Sequence, residues 1–229
     1  NKLLKISLIV TLVLTFPIRF GAGQEGGEDE DYVIRTNFDR NINLFRSFSP
    51  TTGFKERQKI YLNGTRNSGG LNAQAGRIYL GVEVDEAGVE SNFDQLHDVE
   101  GMNDFKWVSY LRMLYLDLDT RILSKEHRDI ISKALIKSKY WFTESTESNT
   151  AIVFTENHQI LCHSSEYLAG QLFPDEIFPY SGMTGKEHVA HAKALILRWL
   201  DWRAQLGFSE WNSNTYLNPD IAALVNLVD

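Results

Sequence analysis

Apolar residues follow two regimes along this chain. Up to about residue 70 they show no steady period, apart from one short early run. Beyond Asn103 they recur three and four residues apart, the spacing of helices with one buried face. Asn103 is placed to cap a helix carrying Phe105, Val108, Leu111, Arg112 and Tyr115, and Ser124 the next, with Ile130, Ile131, Ala134 and Leu135. Thr155 is placed to cap a third. Thr184-Gly185-Lys186-Glu187 reads as a capping box for a fourth, which Gly207 is placed to stop. Asn218-Pro219-Asp220 starts a fifth, bearing Ile221, Leu224, Val225 and Val228. Residues 77–84 alternate as a strand would, yet Gly81 and Asp85 also allow one helix to end and another to begin, and we prefer the latter. Short connections between successive helices predict antiparallel αα-hairpins, hence an all-α fold. The fifth helix's apolar face has nothing after it to pack on, so residues 71–229 are expected to be a C-terminally truncated piece of a longer helical array.

The early apolar run changes the domain picture. Lys2 and Lys5 precede apolar residues 6–16, Pro17 breaks the run, and Gly21-Ala22-Gly23 supplies small residues for cleavage. Residues 1–23 are therefore expected to be a secretory signal, with an uncleaved membrane anchor as the alternative. The run is short for about 30 Å of hydrocarbon, so no stable membrane insertion is expected after cleavage. Residues 24–70 read as a linker and irregular segment. Losing the three basic residues Lys2, Lys5 and Arg19 would deepen the net charge from −7 to −10. Such acidity argues against nucleic acid as a partner, because that binding rests on neutralising phosphates. Cys162 is the only cysteine, so no intrachain disulfide forms, and with no basic neighbour it reads as buried and inert. Asn63-Gly64-Thr65 fits a glycosylation sequon. The sequence fixes neither its occupancy nor the oligomeric state.

Placing the helices on wheels sorts the polar residues. On the third, Ile160, Leu161, Leu168 and Leu172 form the apolar stripe. Asn157 lies on its centre line, His158 at its edge, and His163 on the far side. On the fourth, Val189, Ala192, Leu195, Ile196, Trp199 and Leu200 form the packed face, with His188 inside it as a core histidine. His191 reads as pointing away, so the His188/His191 pair is not expected to bind metal. No metal or other cofactor is expected anywhere. Trp199 and Trp202 read as core. Arg203 also falls in the stripe and needs a carboxylate, for which Glu210 is the obvious partner.

The candidate chemistry lies between Thr155 and Tyr216. Glu156, Asn157 and His158 are consecutive at a helix mouth, where the dipole favours anions. Either they bind a ligand or they satisfy nearby backbone groups. The loop Glu210-Trp211-Asn212-Ser213-Asn214-Thr215-Tyr216 adds a carboxylate, an indole, amides and a phenol, and Trp211 would either stack on a sugar ring or cover a core edge. If the third and fourth helices are antiparallel neighbours, the helix mouth and this loop share one rim.

On Thr155-Glu156-Asn157-His158-Gln159, Gly182-Met183-Thr184-Gly185 and Glu210-Trp211-Asn212-Ser213-Asn214-Thr215-Tyr216, the chain from Asn103 onward resembles a group of secreted helical proteins. We associate these with the (α/α) toroids of polysaccharide lyases and six-hairpin glycosidases. A complete toroid needs more hairpins than this chain holds. The resemblance implies a secreted carbohydrate-active protein whose partner is a polysaccharide or oligosaccharide. It implies that Asn157 and His158 neutralise a uronate carboxylate and that Tyr216 exchanges protons. Glu210 is a further catalytic candidate, with Glu156, Trp211, Asn212 and Asn214 binding substrate. Two alternatives stay open: glycoside hydrolysis by a carboxylate pair including Glu156 or Glu210, and a non-catalytic helical scaffold binding glycans or proteins.

Overall fold

The computed structural model describes residues 53–65, 69–97, 103–142, 144, 154–210, 213 and 215–228. The expected signal segment, and with it the question of secretion, lies outside the described residues. So do Trp211, Asn212 and Asn214. The chain divides into two compact units, residues 1–61 and residues 62–229. The first described helix, α1 (Phe54–Thr65), crosses that boundary. It stands where irregular chain was expected. Its Lys55-Glu56-Arg57-Gln58-Lys59 run consists of good helix formers that carry no apolar period to reveal them.

The second unit holds α2 (Leu71–Tyr79), α3 (Glu86–Glu90), α4 (Phe93–His97), α5 (Asp104–Thr120), α6 (Lys125–Ile136), α7 (Glu156–Leu172), α8 (Gly185–Leu206) and α9 (Leu217–Val228). The fold is all-α, and the described residues contain no strand beyond one isolated bridge, Ile177 to Thr184. Residues 77–84 are the end of α2 and the lead into α3, as preferred on sequence. Ser124 caps α6 by accepting from the His127 N–H at 3.0 Å. Thr184 and Glu187 close both arms of the capping box on α8. Gly207 ends α8 at φ +75°, in the region that favours glycine. Asn103 precedes α5 but gives no side-chain cap.

Helix α7 is the centre. It packs against α5, α8 and α9, and twelve of its seventeen residues are buried, Ser164, Ser165 and Glu166 among them. A helix covered on most sides has no single apolar stripe. That is why His163, placed on the far side by the wheel, is buried against Trp141 with ring centres 4.6 Å apart. Burial pushes its imidazole down to about 3. One core cluster joins α2, α5, α6 and Tyr140 to one flank of α7 through Cys162, Leu168 and Ala169. Another joins Ile160 and Leu161 to Ile196, Trp199 and Leu200 of α8, to Ala223 of α9 and to Val108 of α5. Cys162 is buried as expected, and desolvation drives its thiol well above the ordinary range.

Candidate functional site

The mouth of α7 is built by three consecutive residues that turn in different directions. Thr155 is extended at φ −113°, ψ 169°, and its hydroxyl does not cap the helix. It donates instead to Asn157 Oδ1 at 2.5 Å, and the same oxygen accepts the His158 N–H at 2.7 Å. Asn157 is 1% exposed. Its oxygen is therefore committed to local backbone and hydroxyl groups, while its Nδ2 has no hydrogen bond among the described residues.

His158 is held from the other side. Its Nδ1 pairs with Asp104 Oδ2, the first residue of α5, and the Asp104 side chain is only 3% exposed. A carboxylate can only accept, so Nδ1 carries the proton and Nε2 is the ring's remaining functional atom. Nε2 has no partner among the described residues. The His158 and Phe105 rings meet edge to face, with centres 5.4 Å apart, and Phe105 is 45% exposed. An oriented imidazole thus sits beside an accessible aromatic ring.

Glu156 turns inward, toward the end of α8. Its Oε2 accepts the Ser209 N–H at 2.8 Å and the Ser209 hydroxyl at 2.6 Å, and it pairs with Arg203. The Trp199 indole donates to the Glu156 carbonyl at 3.0 Å. The expected Arg203–Glu210 pair is thus corrected: Arg203 takes Glu156, which is buried beside it and pairs with no other cation among the described residues. Glu210 is nevertheless close. One oxygen each from Glu156, Glu210 and Asp220 lies within 4.8 Å of the other two. Asp220, in the first turn of α9, is fully buried, and neither of its oxygens has a partner. Burial, and then Glu210, push its carboxyl up to about 7, with Arg203 opposing.

These contacts bring the N-terminus of α7 against the C-terminus of α8. At the other end, a Cβ on Gly170 would lie 2.5 Å from the Gly185 carbonyl, so the end of α7 meets the start of α8. The two helices run in opposite directions and share a rim. Of the residues singled out on sequence, Glu156 and Glu210 come together there, and Asn157 and His158 are contiguous at the same helix mouth. Tyr216 is 52% exposed just before α9. Its N–H donates to Ser213 Oγ at 3.0 Å, and its phenol makes no hydrogen bond among the described residues.

Two expectations on α8 need revision. Trp202 is 41% exposed, under the Arg198 guanidinium, which lies 5.4 Å from its ring centre. It sits just past the buried stripe and is covered by a cation instead of core. His191 does not point away from His188. Three residues along a helix rotate the side chain by only about 60°, and both imidazoles bond Glu166 Oε1, at 2.8 Å from His188 and 2.7 Å from His191.

Asp104 and Glu166 went unnoticed on sequence, and Asp220 and Ser209 were read only as parts of a helix start and a loop. An aspartate in the first turn of a helix is commonplace, so nothing marked Asp104 as the partner of a histidine 54 positions away. Asp220 carried a usable signal, since it lies three residues before Ala223 on the buried face of α9. No protein-family model, curated protein or solved structure matches this chain.

Proposed function

We propose that this is a secreted carbohydrate-active protein, a polysaccharide lyase that cleaves uronate-containing glycans by β-elimination at the mouth of α7. The antiparallel helices around that mouth would belong to a series of αα-hairpins, part of an (α/α) toroid. The observation that carries the reading is the Asp104–His158 pair, a buried carboxylate fixing one imidazole nitrogen so that the other is left for a ligand. Elimination requires removal of the proton next to the uronate carboxylate, then loss of the glycosidic oxygen as a C4=C5 double bond forms. The carboxylate's growing negative charge needs fixed donors. Asn157, only 1% exposed, would shape the mouth through the two bonds to its oxygen, and the imidazolium form of His158, backed by Asp104, would supply the donor through Nε2. Tyr216, its oxygen uncommitted, would take the proton from carbon as the phenolate and, as the phenol so formed, hand that proton to the departing oxygen. Exposed Phe105 offers a sugar ring an apolar face.

Hydrolysis is the second reading, favoured by the close carboxylates Glu156, Glu210 and Asp220 and by the raised Asp220. It is the weaker one. Asp220 is fully buried and Glu156 is committed to Arg203 and Ser209, so neither can reach a glycosidic bond without dismantling the junction of α7 and α8. Incubation with a panel of acidic polysaccharides separates the readings. Elimination yields products absorbing in the ultraviolet, hydrolysis yields new reducing ends without that absorbance, and a binding scaffold yields neither.

A further inference from the structure

About ten residues along α7 from its mouth, some 15 Å at 1.5 Å per residue, a second polar cluster is buried between α7 and α8. Glu166 is 0% exposed, as is His188. Glu166 Oε1 faces the Nδ1 atoms of both His188 and His191, at 2.8 and 2.7 Å. Its Oε2 is buried and has no hydrogen-bond partner, and the carboxylate oxygens of Glu144 have no closer company among the described residues than the backbone N–H groups of Trp141 and Tyr140. One donor atom each from Glu144, Glu166 and His188 lies within 4.8 Å of the other two. Two carboxylates face one another inside a protein only where a retained proton or a bound cation offsets their repulsion.

His188 is held on both of its ring nitrogens. Ser181 Oγ, which accepts the Met183 N–H at 3.1 Å, lies 2.7 Å from Nε2, and Glu166 Oε1 lies 2.8 Å from Nδ1. The hydroxyl can donate to Nε2 while Nδ1 donates to the carboxylate, so His188 is satisfied and the unmet need lies with Glu166 Oε2 and Glu144. An imidazole oriented by an outer partner on one nitrogen has the layout of a metal ligand.

We propose that Glu144, Glu166 and His188 bind a divalent transition-metal ion of the zinc class, with His191 as a further donor or as an outer-shell support of Glu166. Mixed imidazole and carboxylate donors suit zinc and its neighbours, whereas calcium and magnesium prefer all-oxygen shells. Carboxylate and imidazole donors sit about 2.0–2.2 Å from zinc, so donors within 4.8 Å of one another close on it with small side-chain shifts. The ion would fasten α7 to the start of α8 and to the chain at Glu144. It runs against the expectation of no metal, and it does not depend on the lyase reading.

The test uses the full chain stripped with a chelator and dialysed, then titrated with Zn2+ while metal content and thermal midpoint are followed. The wild type should take up one tightly held equivalent and melt at a higher temperature with zinc than without. Glu144→Gln keeps the shape and removes only a donor. It should fold and bind zinc more than about tenfold more weakly, since loss of even an outer-shell partner costs roughly 10- to 100-fold. Glu166→Gln should abolish the tight equivalent. Cobalt added in place of zinc should give a visible absorption band in the wild type that Glu144→Gln weakens. The proposal is overturned if the stripped wild type takes up no tight equivalent. It is overturned equally if Glu144→Gln binds zinc as the wild type does, which would assign binding to surface histidines.

Discussion

Asp220 is a buried acid whose charge the fold disfavours, and its stability consequence follows from the sign of its shift. Its folded pKa is raised from 3.8 to about 7, so between those values the native state holds a proton that the unfolded state has released. Its contribution is fully present below about pH 4 and is lost as the pH rises through 7. Asp220→Asn removes the titration and keeps the shape. The variant should therefore match the wild type near pH 4 and exceed it near pH 8, by up to about 4 kcal/mol for a rise of about 3 in pKa at about 1.4 kcal/mol per unit. Chemical denaturation of both proteins at the two pH values checks this, and a constant difference would show that Asp220 does not titrate in that window. His163 works in the opposite sense. Its pKa is lowered to about 3, so stability falls as the pH drops from about 6.5 toward 3, and His163→Phe should soften that acid limb. Side chains of this kind were poorly legible in the sequence. A wheel ranks residues by a single apolar stripe, and α7 is buried around most of its circumference, so Glu166 and His163 carried no mark of their burial.

At the scale of elements, the close meeting of α7 and α8 rests on two glycines. A Cβ on Gly185 would lie 2.1 Å from the Phe173 carbonyl oxygen, and one on Gly170 would lie 2.5 Å from that of Gly185. These neighbours are backbone and cannot swing aside. Gly185→Ala and Gly170→Ala should each cost at least about 1–3 kcal/mol, the usual penalty of overpacking, read as a lower denaturation midpoint. Thr184→Ala removes one arm of the capping box and should cost about 1 kcal/mol, with no effect at the mouth of α7. Helix ends were the most legible feature of this sequence, because a cap is a local event. Ser124, Thr184 and Gly207 act through bonds within four residues. The Glu156–Arg203 pair spans 47 positions, and only the packing of α7 on α8 could choose it over the sequence-adjacent Glu210.

For the whole molecule, a net charge of −7 opposes any polyanion that approaches it. A uronate substrate must therefore be drawn by donors at the site itself, and weak binding that strengthens with added salt is the expected behaviour, measurable by titration at two ionic strengths. Helix α9 exposes Ile221, Val225 and Val228 along one side while Ala223 is buried against the core. The sequence foresaw its apolar residues, and the packing decides which of them are covered. The central claim concerns a smaller locus, the histidine at the mouth of α7 and the aspartate behind it. The most direct measurement is the ultraviolet absorbance of unsaturated uronide released from an acidic polysaccharide by the wild type, His158→Ala and Asp104→Asn, with helicity recorded for all three. The wild type should release the uronide steadily. His158→Ala should lose at least about a hundredfold, the usual scale for removing a donor to developing charge, and Asp104→Asn less, with helical content unchanged. Release by His158→Ala at the wild-type rate, or reducing ends from the wild type without the absorbance, would contradict the central claim.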